Sequence, residues 1–191
     1  MDQKVIIGVE QLGRALASTR AVLAKVRRDQ FGLPTPCVSW NVAALVNHFV
    51  GSARWAAATV SSRDVTADED LAVGDFVAAY DESIDMAVAA FGAEGVLDKQ
   101  FALPIGDYSG AALLSLATRE QFIHGWDLAR SIGHPSNLEP ELAADLLPLA
   151  RVEIPDGLRG PDGTAFFGPI VDAGADACPA DRLAAFLGRS I

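Results

Sequence analysis

The stretch from residue 113 to residue 130, LLSLATREQFIHGWDLAR, has the spacing of one face of a helix. Steps of four and three residues return to the same side of a helix. Five side chains follow these steps and share one stripe: Leu113, Ala117, Glu120, His124 and Asp127. The stripe begins apolar and then carries two carboxylates and an imidazole where a packed helix usually has leucines. The stretch therefore predicts an inward-facing helix that brings polar groups into the core.

Three segments before this stretch show the same helical spacing, and turn-forming residues mark where the helices end. Glycine and proline residues within 32–36 stop the first helix, and Gly133 with Pro135 stops the fourth. Four long amphipathic helices without strand alternation predict an all-α fold, a four-helix bundle. The predicted helices run from about residue 5 to Phe31, from an N-cap at Ser39 to about Ser61, from about Asp75 to Phe91, and from an N-cap at Ser109 to about Ile132.

The remaining segments are predicted to be connections and a small C-terminal extension. The acidic stretch 62–71 predicts a surface loop, and 92–107 predicts a long connection with one strand-like turn. A fifth helix, from about Glu139 to Arg151, is expected to lie across the bundle, and a last short helix is centred on 181–187. We therefore expect one domain: the bundle with its fifth helix over 1–151, and a short Gly/Pro-rich extension over 152–191 that packs on the bundle and does not fold alone.

The composition is that of a folded, acidic protein. Of 191 residues, 50% are hydrophobic and 21% are charged, which excludes a disordered chain. Fifteen Lys and Arg against twenty-five Asp and Glu give a net charge of −10. A surface of that sign repels phosphate backbones, so we expect no nucleic-acid partner. A homodimer stays open because bundle faces often associate, although no particular residue supports it.

The cysteines and the first residues indicate a cytoplasmic protein. Cys37 and Cys178 form no framework pattern and are expected to be free thiols in a reducing compartment. The first ten residues lack the basic and apolar regions of a secretory signal. The stretch between Gln30 and Ala53 carries no full charge, but its prolines, asparagines and histidine argue against a membrane span.

His48, Glu120 and His124 are the candidate metal ligands. His48 shares a helix stripe with Leu45, so its ring is expected to face the bundle interior. Glu120 and His124 lie one helical turn apart, about 5–6 Å along one face, where both can reach one ion. Two imidazoles and a carboxylate leave a coordination position for water or substrate, as in catalytic zinc sites, and the same donors suit iron or nickel. A divalent cation would also compensate a buried carboxylate.

Two simpler interpretations stay open from the residues alone. Glu and His one turn apart often only hydrogen-bond each other, which gives a polar core without a metal, and a metal can stabilise a bundle without catalysis. Asp127 is expected to orient a histidine or to pair with an arginine rather than to bind the ion. Gly125 is unfavourable inside a helix and therefore suggests close backbone approach. Cys37 is interpreted as a structural thiol, because the sequence places no base beside it.

Two motifs resemble those of a known family. The first is LPTPCVSWNV over 33–42, followed by Leu45 and His48, and the second is Glu120 followed by HGWDL over 124–128. The C-terminal DRL at 181–183 and FLGR at 186–189 extend the likeness to the end of the chain. In this order the motifs resemble the mycothiol-dependent maleylpyruvate isomerase-like family and its smaller actinobacterial members, a branch of the DinB/YfiT-like metalloenzymes.

The resemblance implies a DinB-like four-helix bundle with a divalent metal, usually zinc, in which the ligand roles fall on His48, Glu120 and His124. It further implies that the metal binds and deprotonates a low-molecular-weight thiol such as mycothiol, so the partners are a small thiol and an electrophilic substrate. The full isomerase has a larger C-terminal domain that helps to form its active site, where this chain has only about forty residues. We therefore expect a metal-dependent thiol transferase or isomerase that acts on a different small electrophile.

Overall fold

The structure, a computed structural model, describes residues 7–64, 70, 72–104, 106–161 and 164–191. This part of the chain is mostly helical, as the sequence predicts. Its helices are α1 (Val9–Leu23), α2 (Val42–Val60), α3 (Phe76–Phe91), α4 (Gly110–Ile132), α5 (Pro140–Glu153) and α6 (Pro179–Phe186). Val5 of the predicted first helix, and residues 65–69 and 71 of the predicted acidic loop, lie outside the described residues.

Helix α4 packs against three of the other helices. It contacts α1, α2 and α6, while α3 packs against α1 and α2, and α5 packs against α6. Phe122, Trp126 and Leu128 of α4 are fully buried, and burial of such apolar surface is the main favourable term in folding. The arrangement is compatible with the predicted helical fold, and the four-helix bundle itself stays a prediction. Among the described helices, none is both long enough and apolar enough to span a membrane.

The ends of α4 follow from its flanking residues, as predicted. The Ser109 hydroxyl accepts a hydrogen bond from the Ala112 N–H at 3.1 Å and so caps one of the free backbone donors of the first turn. Gly133 ends the helix in the left-handed conformation, with φ of 70°, which glycine adopts without a steric penalty. These two ends fix the length of the helix that carries Glu120 and His124.

The start of α2 differs from the prediction. The N-cap is Asn41 rather than Ser39, and its side chain accepts a hydrogen bond from the Ala44 N–H at 2.9 Å. Before the helix begins, residues 37–40 form a turn in which the Trp40 N–H donates to the Cys37 carbonyl at 2.8 Å. Since serine and asparagine are about equally good N-caps, the residue type alone did not decide between them.

Helix α1 is shorter than predicted, because it ends at Leu23 and not near Phe31. After Leu23 the backbone tightens: the Lys25 N–H donates to the Val22 carbonyl at 2.9 Å, and the Val26 N–H donates to the Leu23 carbonyl at 3.0 Å. Such bonds to the third preceding residue are typical of helix ends. The apolar spacing continues to Val26 because this residue remains buried after the helix has ended.

A β-hairpin joins α3 to α4 within the connection where the sequence predicts only one strand-like turn. Strand β1 (Gln100–Leu103) pairs antiparallel with β2 (Gly106–Ser109), with Gln100 opposite Ser109. The hairpin leads directly into α4, because Ser109 is both the last strand residue and the N-cap.

The C-terminal extension returns to the helices through α6. The backbone of Gly188, with φ of 90°, lies so close to Gly168 that a Cβ on Gly188 would be 2.6 Å from the Gly168 Cα. Fully buried Leu183 and Leu187 anchor this end of the chain in the core. The predicted division at residues 151 and 152 remains a prediction, and α5 continues two residues beyond it, to Glu153.

Gly125 allows α4 to approach α1 closely, as the sequence suggests. A Cβ at this position would lie 2.1 Å from the Thr19 Oγ1 and 3.2 Å from the Thr19 Cα. Thr19 is fully buried, and its hydroxyl donates to the Gln121 carbonyl at 2.7 Å, so it has little freedom to move. The glycine therefore sets the distance between the two helices one residue after His124.

We predict that Gly125→Ala lowers the free energy of unfolding by about 1–3 kcal/mol, because the added methyl overpacks the contact with Thr19. The matched control is Gly13→Ala in α1, where nothing lies within 4 Å of the added Cβ. This control is expected to stabilise the protein by up to about 1 kcal/mol through helix propensity. Urea denaturation of both variants measures the difference, and equal stabilities would contradict the close approach.

Candidate metal centre

The structure brings His48 from α2 together with Glu120 and His124 from α4. The three ligand atoms all lie within 4.8 Å of one another. The Glu120 Oε1 is 2.6 Å from the His48 Nε2 and 3.1 Å from the His124 Nε2. The Glu120 carboxylate thus lies between two imidazole nitrogens, one from each helix.

The cluster lies at the boundary between the core and solvent. The His124 side chain is 5% exposed, whereas those of Glu120 and His48 are 30% and 34% exposed. Leu45, one turn before His48 on the same face of α2, is fully buried. This face of α2 therefore runs from the core at Leu45 to the solvent boundary at His48. The ligand set is therefore anchored on its inner side and accessible to a small molecule on its outer side.

Asp127 fixes the orientation of the His124 ring. The His124 Nδ1 lies 3.0 Å from the Asp127 Oδ2, and Asp127 is fully buried. A carboxylate only accepts hydrogen bonds, so Nδ1 donates to Asp127, and Nε2 is left on the side of the ring that faces Glu120 and His48. Metal-binding histidines in proteins almost always make such a second hydrogen bond. Asp127 also pairs with Arg189, so both contacts expected from the sequence are present.

Cys37 lies beside this inner part of the site, which the sequence interpretation did not anticipate. Its Sγ is 3.3 Å from the Asp127 Oδ2, and the Arg189 Nη2 is 3.2 Å from the same sulfur. Cys37, His124 and Asp127 form a second group of close ligand atoms, but the guanidinium of Arg189 supplies the positive charge there. We therefore do not assign a metal to this second group.

The electrostatics of the site depend on carboxylates held against cations. Burial lowers the pKa of His124, but the Glu120 carboxylate and the hydrogen bond to Asp127 outweigh this effect and hold it well above its usual range. Burial raises the pKa of Glu120, yet His124 and His48 hold it well below its usual range. Burial and the Asp127 carboxylate raise the pKa of Cys37, which keeps the thiol protonated and agrees with a structural role.

Trp40 packs against one side of the cluster, beside the His48 ring, and sequence reasoning did not assign it a role in the site. Its ring centroid lies 4.2 Å from that of His48 and 5.7 Å from that of His124. The loop that carries Trp40 is held in place by Thr35, whose hydroxyl donates to the Trp40 carbonyl at 2.9 Å. The sequence did contain a signal for Trp40. It directly precedes the N-cap of α2, and α2 is the helix that carries His48.

The donor set fits a divalent cation. Two imidazole nitrogens and one carboxylate oxygen converge, and each ligand is held by neighbouring groups. Sites of this type bind zinc and also suit iron or nickel. The carboxylate lies within hydrogen-bond distance of both ring nitrogens. If a cation binds, three coordinate bonds would replace these hydrogen bonds.

We predict that Trp40→Ala increases the rate at which diethylpyrocarbonate modifies His48 several-fold, because the indole no longer covers the imidazole. Trp40→Phe keeps an aromatic ring and is expected to give an intermediate rate. Peptide mass spectrometry measures the modification of each histidine. His134, in the turn after α4, serves as the internal control whose rate is not expected to change. An unchanged rate at His48 would show that Trp40 does not shield it.

Comparison with known proteins identifies the family of the chain. The mycothiol maleylpyruvate isomerase N-terminal domain family matches residues 12–129, a range that includes His48, Glu120 and His124. Two relatives from Mycobacterium tuberculosis, the uncharacterized protein MT0763 of strain CDC 1551 and the uncharacterized protein Rv0738 of strain H37Rv, are each 37% identical over 182 residues, or 93% of this chain and 95% of the relative. No solved structure gives a significant match. The chain therefore belongs to the mycothiol maleylpyruvate isomerase N-terminal domain family.

Proposed function

We propose that this protein is a DinB-like four-helix bundle that binds a divalent metal ion, zinc in the first place, through His48, Glu120 and His124. We further propose that it uses the metal in a thiol-dependent transfer or isomerisation of a small electrophile. The observation that carries the proposal is the convergence of one carboxylate and two imidazole nitrogens within 4.8 Å.

The metal, when bound, would lower the pKa of a coordinated thiol so that the thiolate exists at neutral pH. The residues of the chain prepare this chemistry. Asp127 holds the His124 ring so that its Nε2 faces the site. Glu120 supplies a negative charge to the donor set, and Trp40 covers the His48 ring and limits access of water from that side.

A mycothiol-type thiol is the co-substrate that we propose. The family takes its description from a mycothiol-dependent isomerase, and the partly exposed side chains of His48 and Glu120 provide an approach for a small molecule. Cys37 is not the nucleophile in this proposal, because burial and the Asp127 carboxylate keep its thiol protonated. The nucleophilic sulfur therefore comes from the co-substrate and not from the chain.

A structural metal site is the second candidate function. The three ligands connect α2 to α4, so a metal there would cross-link two helices that already pack together. A bundle stabilised in this way could present its surface to another ligand or protein without catalysis. Binding of a thiol to the metal distinguishes the two functions, since a purely structural ion is expected to be closed to added ligands.

We predict that the protein binds one equivalent of Zn²⁺ and that His48→Ala, Glu120→Gln and His124→Ala each weaken binding by more than about 100-fold, because loss of a direct ligand exceeds the effect of losing an outer partner. Competition with a chromophoric chelator measures the affinity. His134→Ala removes a histidine outside the cluster and is the matched control. Retention of full affinity in the three ligand variants would refute the assignment.

We predict that the Co²⁺-loaded protein develops thiolate-to-metal charge-transfer absorption when mycothiol is added, because an open coordination position accepts the sulfur. The S-methylated thiol cannot form a thiolate and is the control that should give no band. A spectrum that mycothiol leaves unchanged would favour the structural function. In that case, chelation is expected to lower the melting temperature without any thiol-dependent effect.

A further inference from the structure

Arg189, near the C-terminus, forms a two-pronged ion pair with Asp127 on α4. Its Nε lies 3.3 Å from the Asp127 Oδ1 and its Nη2 lies 3.1 Å from the Oδ2. The Arg189 side chain is 13% exposed and that of Asp127 is fully buried. A buried, bidentate pair of this kind is geometrically specific, unlike an exposed ion pair.

The same carboxylate connects Arg189 to the proposed metal ligand. The Asp127 Oδ2 accepts from the Arg189 Nη2 at 3.1 Å and from the His124 Nδ1 at 3.0 Å. Asp127 has no contact with solvent that could replace either donor. The position of Arg189 is therefore transmitted to the imidazole through a single side chain.

The backbone and one further side-chain contact hold Arg189 in this position. Its N–H donates to the Ala184 carbonyl at 3.0 Å, directly after the left-handed Gly188. The guanidinium also donates to the Leu187 carbonyl at 3.1 Å. The close approach of Gly188 to Gly168 then fixes the path of the chain end. The C-terminal extension thus places the Arg189 side chain against α4.

We propose that Arg189 is a positioning residue of the metal centre: it holds Asp127 so that Asp127 orients His124 with Nε2 toward the ion. The inference rests on the proposed metal binding. It assigns a role to the C-terminal extension, which lies outside the residues matched by the family. Arg189 also contacts the Cys37 sulfur at 3.2 Å.

The test measures Zn²⁺ affinity by chelator competition in the full-length chain. Arg189→Ala is expected to weaken binding by about 10- to 100-fold, the usual effect of losing an outer partner of a metal ligand. Arg189→Lys keeps the charge but lacks the planar fork, so we expect a smaller loss. It also keeps the test valid if the alanine variant folds poorly. Equal affinity of wild type and both variants would overturn the inference.

Two controls separate positioning from general stabilisation. Arg119→Ala removes a partly buried ion pair with Glu153, and neither residue is a proposed ligand, so it is expected to lower the melting temperature while Zn²⁺ affinity stays unchanged. In an Asp127→Asn background, Arg189→Ala should weaken binding by less than about two-fold, because the connection is already broken. A full additional loss in that background would show that Arg189 acts by another route.

The same experiment distinguishes failure of the inference from failure of the proposed function. If wild type and Arg119→Ala bind Zn²⁺ and Arg189→Ala binds it equally well, only the role of Arg189 is wrong. If wild type itself binds no Zn²⁺, Ni²⁺ or Fe²⁺, the proposed metal site is wrong, and the inference falls with it.

Discussion

The Glu120 carboxylate, placed between the imidazoles of His48 and His124, is the contact on which the arrangement of the site depends. Removing a charged carboxylate from water is costly unless opposite charge or hydrogen bonds compensate it. Here the compensating groups come from two helices, so α2 and α4 are restrained relative to each other at the polar edge of the core. A change in either imidazole therefore affects the packing of both helices and not only one side chain.

The rotation of α4 that aims Glu120 and His124 is fixed by the neighbouring residue Gln121. Its amide nitrogen donates to the Phe49 carbonyl at 3.0 Å, and its amide oxygen accepts from the Tyr80 hydroxyl at 2.6 Å. Its backbone carbonyl accepts from the Thr19 hydroxyl at 2.7 Å. One buried residue thus connects α4 to α1, α2 and α3. Because a buried polar network stabilises only when its members are satisfied, it favours one rotation of the helix over others.

The periodicity of the sequence predicted the helix faces and the helix ends, which depend on residues close together in the chain. The features that it did not predict are contacts between distant parts of the chain. The four-three spacing places Glu120, His124 and Asp127 on one stripe, and Ser109 and Gly133 mark the ends of α4 because caps act within one turn. Contacts between distant parts of the chain leave no such signal. The sulfur of Cys37 and the guanidinium of Arg189 lie 3.2 Å apart although 152 positions separate them in sequence. The sequence interpretation placed no base near Cys37 because it considered only the distance from Cys37 to His48 along the second helix. In the structure, the loop that carries Cys37 folds back over α4.

The formal charges around the site are compatible with the proposed thiolate as an additional ligand. The carboxylates of Glu120 and Asp127 face one guanidinium, that of Arg189, so the described side chains leave one negative charge when the imidazoles are neutral. A divalent cation would change this to one positive charge, which a single thiolate neutralises. Without Arg189 the same cation would already be neutralised, and an anionic sulfur would gain less from entering a partly buried site. Arg189 would then serve two purposes with one contact, since it orients the ligand through Asp127 and keeps the centre attractive to an anion.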